Sequence, residues 1–226
     1  MKFRTFAIAG AAVATAAVIV PTGADAGRDN RPVETFVITV ENLTPEGSQP
    51  FSPVGTVVHD KKVDVWSVGS PASAAVAAVA EDANLPIFAG TYADVAGVSS
   101  STVGGDGPFG PGQSVTFEVE ARRGDRLSLV TMLVNTNDAF TGLDSVRLGN
   151  GTQEFTVGAY DSGTEVNNEN AAFIPGPAGG NPFVREPEAG LIAPTDGLVG
   201  TDGGIDPAVY DWDGAVADIT IERVRN

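Results

Sequence analysis

Between residues 34 and 43 the chain reads ETFVITVENL, with Phe36, Ile38 and Val40 on one side and Thr35, Thr39 and Glu41 on or near the other. A period of two is that of a strand with one buried face. The alternation returns in SVTFEVEA (114–121), where Val115, Phe117 and Val119 should point inward and Thr116, Glu118 and Glu120 outward. RLSLVTMLV (126–134) is apolar on both faces in its second half, as a central strand should be. With the short RRGD turn between them, these two strands are expected to form a hairpin. Further strands are expected at GTVVH (55–59), VDVWSV (63–68), residues 143–148, EFTVGAY (154–160) and VADITIERV (216–224).

One segment breaks the two-residue rhythm. SPASAAVAAVAEDANL (70–85) offers Ser70 as an N-cap, Pro71 at the first helical position and alanine as filler. It carries Val76, Val79 and Leu85 as its apolar face, which suits a short helix packed across a sheet end. Residues 27–33 read as a flexible lead-in, and 91–113 and 175–215 as loops rich in Gly, Pro, Ser and Asp. Short alternating strands, frequent turns and one short helix define an all-β class, an antiparallel β-sandwich spanning 34–226.

The first 26 residues stand apart from that domain. Lys2 and Arg4 precede an unbroken apolar run, FAIAGAAVATAAVIV (6–20), and Ala24-Asp25-Ala26 supplies a small-x-small cleavage site. This is the layout of a signal peptide, so residues 1–26 are expected to direct export and to be removed. No second apolar run follows, so no membrane insertion is expected after cleavage. The destination would be the periplasm, the cell surface or the medium.

Composition then changes what must hold the domain together. An apolar content of 42% suffices for a core, but the chain has no cysteine, so its loops cannot be tied by disulfides. Packing or a metal ion must do so. The formal charge is −16, and losing Lys2, Arg4 and Asp25 with the leader makes it one unit more negative. Such a chain is repelled by nucleic acid and by anionic membranes, which argues against both as partners.

Two stretches gather acids and amides at strand ends. TMLVNTNDAFTGLDSV (131–146) holds Asn137, Asp138 and Asp144, and AYDSGTEVNNEN (159–170) holds Asp161 and Glu165. Hard cations such as Ca²⁺ take about six to eight oxygen ligands and use such a mixture. Ordinary Asx-turns use the same residues. The EF-hand pattern fails, because Ala139 and Phe140 stand where a ligand and a glycine belong.

In order along the chain, ENLTP, PFSP, VGSPAS, RLSLVTMLVNTNDAFTGLDSV, YDSGTEVNNE and IPGP together resemble the spondin N-terminal domain family, in its bacterial exported form. The domains that open F-spondin and mindin are of this type. The resemblance covers roughly 34–224, and its most specific part is NDAF-x-GLDS followed by YD-x-GTE. It implies a C2-like sandwich that binds Ca²⁺ at its loop end and serves adhesion or matrix recognition without catalysis, through an extracellular protein or glycan. Matched residue by residue, it makes Asp138, Asp144 and Asp161 the metal ligands, with Glu165 and Asn137 in support. The chain departs from the family in lacking cysteines, additional modules and histidines around EAGLIAPTDGLVG (188–200).

Other chemistry is thinly represented. His59 is the sole histidine, and without a G-x-S-x-G elbow or a cysteine it lacks a nucleophile to serve. Arg123-Gly124-Asp125 reads as turn chemistry. Asp206, Asp211 and Asp213 could supply the paired acids of a polysaccharide hydrolase, with Tyr210 and Trp212 stacking on sugar or closing the sandwich edge. A metal-free structural surface protein is the remaining alternative.

Overall fold

The computed structural model describes residues 31–174, 184–198, 200 and 203–224; the leader expected over 1–26 lies outside them. The described residues build two antiparallel sheets. The four-stranded sheet has the order β4 (Ser114–Arg122), β1 (Val33–Asn42), β10 (Ala217–Arg223), β7 (Thr152–Val157). The six-stranded sheet runs β3 (Val98–Gly104), β2 (Val54–His59), β5 (Arg126–Met132), β6 (Ala139–Arg147), β8 (Ala159–Asp161), β9 (Ala193–Thr195). The fold is therefore an all-β sandwich, as the alternation predicts. Phe36, Ile38, Val40, Phe117 and Val119 are buried with Leu127, Leu129, Ile219 and Ile221 in one core between the sheets.

A second core explains why β2 and β5 lack alternation. Helices α1 (Ala74–Asp82) and α2 (Leu85–Ala93) cover the outer face of the six-stranded sheet, where Val76, Val79, Leu85 and Phe88 pack with Val57, Val130, Met132 and Phe140. Both faces of β2 and β5 are thus buried, and every position of β2 is apolar, small or hydrogen-bonded. The chain breaks between the helices at Ala83, whose φ is +52°, and Asn84 then caps α2 through a bond from the Ile87 amide. The N-cap of α1 is Ser73, not Ser70, and accepts from the Val76 amide at 3.2 Å. A short helix, α3 (Pro207–Tyr210), follows within the region expected as loop.

Three local expectations need correction. β4 and β5 do not pair; they lie in different sheets, and 123–125 carries the chain across. Arg122 is paired with Val33, whereas Arg126 is paired with His59 and Arg147. The crossing is fixed by Gly124, at φ +92°, and by Asp125, which is 5% exposed and accepts from the Arg122 amide at 3.0 Å. Asp125 is spent inside the turn, as the turn reading of RGD requires. Second, VDVWSV is not a strand: Val65 and Trp66 are buried in an irregular segment, pinned by a bond from the Tyr92 hydroxyl to the Val65 carbonyl at 3.1 Å. Third, β3 forms in a stretch expected as loop, because pairing with β2 supplies what its serine-rich sequence does not. Among the described residues no helix is long and apolar enough to cross a membrane.

The tightest point of the six-stranded sheet is Gly142 in β6, opposite Val130. A Cβ there would fall onto the carbonyl oxygen of Leu129. Gly142→Ala is expected to lower unfolding free energy by about 3 kcal/mol, at the upper end of overpacking costs, as read by urea denaturation. A variant as stable as the parent would show that the β5–β6 approach is looser than described.

Candidate metal centre at the loop end

The residues of the two acidic stretches meet where β6 and β8 begin and end. Ala139 pairs with Asp161, and Phe140 with Tyr160, so Asp138 and Asp161 stand beside each other at one pole of the sandwich. The turn before β6 is closed by Thr136, whose hydroxyl donates to Leu133 O at 2.7 Å and accepts from the Ala139 amide at 3.0 Å. Asn135 ties it to a neighbouring loop by donating to Ser48 O at 2.6 Å. Phe140, on the strand itself, packs into the second core edge-on to Trp66 at 5.1 Å.

Asp138 is 1% exposed. Its Oδ2 accepts from the Ser162 hydroxyl at 2.9 Å, the Thr164 amide at 2.8 Å, the Thr164 hydroxyl at 3.2 Å and the Glu165 amide at 2.9 Å. One oxygen thus folds the whole of 162–165 around itself. The other oxygen, Oδ1, takes part in none of these bonds, and Asp138 lines a cleft of about 110 Å³ together with Asn137, Asp161, Asn167, Glu169 and Trp212. Burial pushes the Asp138 carboxyl up to about 6; the Asp161 charge adds to the rise, and the bonds from Glu165, Thr164 and Ser162 hold it back.

Asp161 closes an Asx-turn by accepting from the Gly163 amide through Oδ1, while the Asn167 amide group donates to its Oδ2. Asn137 donates through Nδ2 toward Glu165 O, Val166 O and Asn167 Oδ1 at 3.3–3.4 Å, and lines the cleft. Asp138, Asp161 and Asn137 are thus brought together, as the sequence predicts.

Glu165 contributes its amide to Asp138 but turns its carboxylate elsewhere. That group is held at 2.7 Å by Arg185, which also pairs with Glu81 and Asp82 of α1. Glu165, expected among the supporting metal ligands, is instead gathered with Glu81 and Asp82 by one guanidinium. Burial is the largest influence on Glu165 and pushes it up to about 7, with Arg185 pulling it back. Asp144 does not join the cluster. It lies six residues along β6 from Asp138, roughly 20 Å away at the usual strand rise. Its neighbours are Asp64, His59 and Arg126; desolvation first, then Asp64, raises its carboxyl.

Among the described residues, no three of His, Asp and Glu are placed to hold one metal ion. The donors at the cleft are nonetheless all hard oxygens, two of them carboxylates in electrostatic contact. They suit Ca²⁺ only if main-chain carbonyls and water complete the shell.

The other candidates are structural. His59 is fully buried; its Nδ1 lies 2.7 Å from Asp60 O and so carries the proton, and its Nε2 meets the Ser128 hydroxyl at 2.9 Å. Ser128 in turn accepts from the Ser145 amide at 3.0 Å, bracing the β-bulge of β6. Asp206 caps α3 by accepting from the Ala208 amide, Asp211 accepts from the Leu198 amide at 2.8 Å, and Trp212 is 4% exposed, closing the sandwich edge. Arg185 and the Ser162–Thr164 pair escaped the sequence reading, since neither lies at a recognisable spacing from its partners. The sequence matches no protein-family model and no curated protein.

Because the Asp138 carboxyl ionises at about 6 in the fold and near 3.8 in an ordinary setting, its contribution is fully present below pH 4 and lost as pH rises through 6. Asp138→Asn keeps an acceptor for the 162–165 loop and removes the charge. Between about pH 4 and pH 7 the stability difference is expected to shift in the variant's favour by about 2 kcal/mol, in urea melts without divalent ions. A difference independent of pH would mean that Asp138 titrates like an exposed carboxylate.

Proposed function

We propose that the chain is an exported, non-enzymatic recognition module of the spondin N-terminal type. Its loop-end cleft binds Ca²⁺ through Asp138 and Asp161 and so orders a surface that meets an extracellular protein or glycan. The observation that carries this reading is the buried Asp138, one oxygen saturated by four donors and the other left over beside a second carboxylate. A divalent cation there offsets the repulsion that raises the Asp138 carboxyl. Asn137 lends its amide oxygen, and the ion binds 133–138 to 161–167.

The reading of Asp138 and Asp161 is independent of Asp144 and Glu165, which serve other parts of the fold. Export is supported by the leader pattern of residues 1–26. A binding role is favoured over hydrolysis because the Asp206 and Asp211 carboxylates are engaged by main-chain amides, and His59 has both ring nitrogens occupied inside the core. Adhesion or matrix recognition rests on the family resemblance.

Millimolar Ca²⁺ is expected to raise the melting temperature of the mature protein at pH 7 after treatment with EDTA. Asp138→Asn and Asp161→Asn should each remove most of that gain, and Asp144→Asn should retain it. Identical melting curves with Ca²⁺ and with EDTA would overturn the metal assignment. Equal loss in all three variants would place the ion elsewhere.

A further inference from the structure

The opposite pole of the sandwich gathers most of the basic side chains of the described residues, alongside Glu34, Asp60, Asp64, Asp125 and Asp144. Arg31, Arg122, Arg123, Arg126, Arg147 and Arg223 all stand where β1 begins, β4 and β10 end, and β5 meets β6. Lys61 and Lys62 follow the same end of β2. In a chain of formal charge −16 this segregation is not explained by solubility. Like charges are also held close together here. Arg123 and Arg223 both donate to the same neutral acceptor, Asn150 Oδ1, at 3.3 and 2.8 Å. Arg31 and Arg147 both reach the backbone of Gly124, with nitrogens 3.3 and 3.5 Å from where a Cβ would sit.

A cleft of about 280 Å³ opens among them, lined by Arg31, Pro32, Glu34, Arg123 and Arg223. Glu34 reaches Arg223 at 3.4 Å and keeps a second, buried oxygen without a hydrogen-bond partner, while Arg31 is tied to Asp125 at 2.6 Å and to the Arg123 carbonyl at 2.7 Å. The Nε–H groups of Arg122 and Arg223 are buried and meet no acceptor. Three guanidinium groups against one carboxylate line this cleft, a balance that suits the planar and tetrahedral oxyanions arginine binds in bidentate fashion.

We propose that this arginine cleft is a binding site for a single sulfate or phosphate group, separate from the acidic cleft at the other pole. Arg123 and Arg223 grip the anion from the Asn150 side, and Arg31 faces it from the N-terminal side of β1. The cleft admits one such group with its hydration. The exposed Glu118, Glu120 and Glu222 on the adjoining sheet face repel an extended polyanion laid across this end. That restricts the ligand to a free ion or to one ester group on a sugar.

The test is calorimetric titration of the mature protein with sodium sulfate, sodium phosphate and a sulfated disaccharide, at constant ionic strength balanced by chloride. Saturable binding of any of the three is expected, and the disaccharide arm tells a carried ester from a free ion. Arg123 is exposed, so Arg123→Ala should fold normally; it is expected to weaken binding at least tenfold, and Arg123→Lys to recover only part of the loss. Arg223→Ala should act in the same direction. No saturable response to any probe, or an Arg123→Ala variant that binds as tightly as the parent, would overturn the proposal.

Discussion

The architecture of the loop end depends on one buried carboxylate. Through a single oxygen, Asp138 accepts two main-chain amides and two hydroxyls, and so dictates the path of 162–165. Once that path is set, the other features follow. Glu165 is carried to Arg185, Arg185 bridges to α1, and the residues after Asp161 form the wall of the cleft. The same burial that makes Asp138 an effective anchor makes its charge costly. Four donors to one oxygen do not compensate fully for desolvation beside Asp161, and the carboxyl remains raised. A cation in the cleft would relieve the imbalance without disturbing the anchor.

The two poles share an architecture and differ in the side chains that converge there. At one end the strand termini deliver Asp138 and Asp161, and at the other they deliver arginines around Asn150. Both are built on short connections between strands of a doubly cored sandwich, which gives them a rigid base. In a protein without disulfides, that rigidity comes from packing on both faces of the six-stranded sheet and from polar ties such as His59–Ser128–Ser145. Net charge conceals this arrangement. A value of −16 describes the far field, whereas what can bind at each end is decided by the few groups that converge there.

Much of the fold was legible because alternation is a local property. Phe36, Ile38 and Val40 announce their buried face within one strand, and β1, β4, β5 and β10 lie close to where the pattern predicts them. What alternation cannot reveal is the neighbour. β4 and β5 look like a hairpin, yet each finds its partners elsewhere, because Gly124 and Asp125 turn the chain from one sheet to the other. The edge strand β3 draws its order from β2 and carries little signal of its own.

The candidate site shows the same division. That Asp138 and Asp161 lie together was suggested by two acidic strand ends, which Asx-turns explain equally well, and by the family resemblance. That Asp144 lies at the far end of its strand, and that Glu165 belongs to Arg185, depends on contacts spread over long stretches of chain. Thr164 and Arg185 gave no warning, since threonine and arginine at irregular spacing are ordinary surface residues until the fold buries them.

The most direct test of this account is the ionisation of Asp138 itself, followed by carbon-detected NMR of its side-chain carboxyl in the absence of divalent ions. A midpoint of about 6 is expected, well above the ordinary 3.8. It should move downward when Asp161 is replaced by Asn. A midpoint near the ordinary value, unchanged by that replacement, would contradict the claim that the buried Asp138 carboxylate is held against a second one.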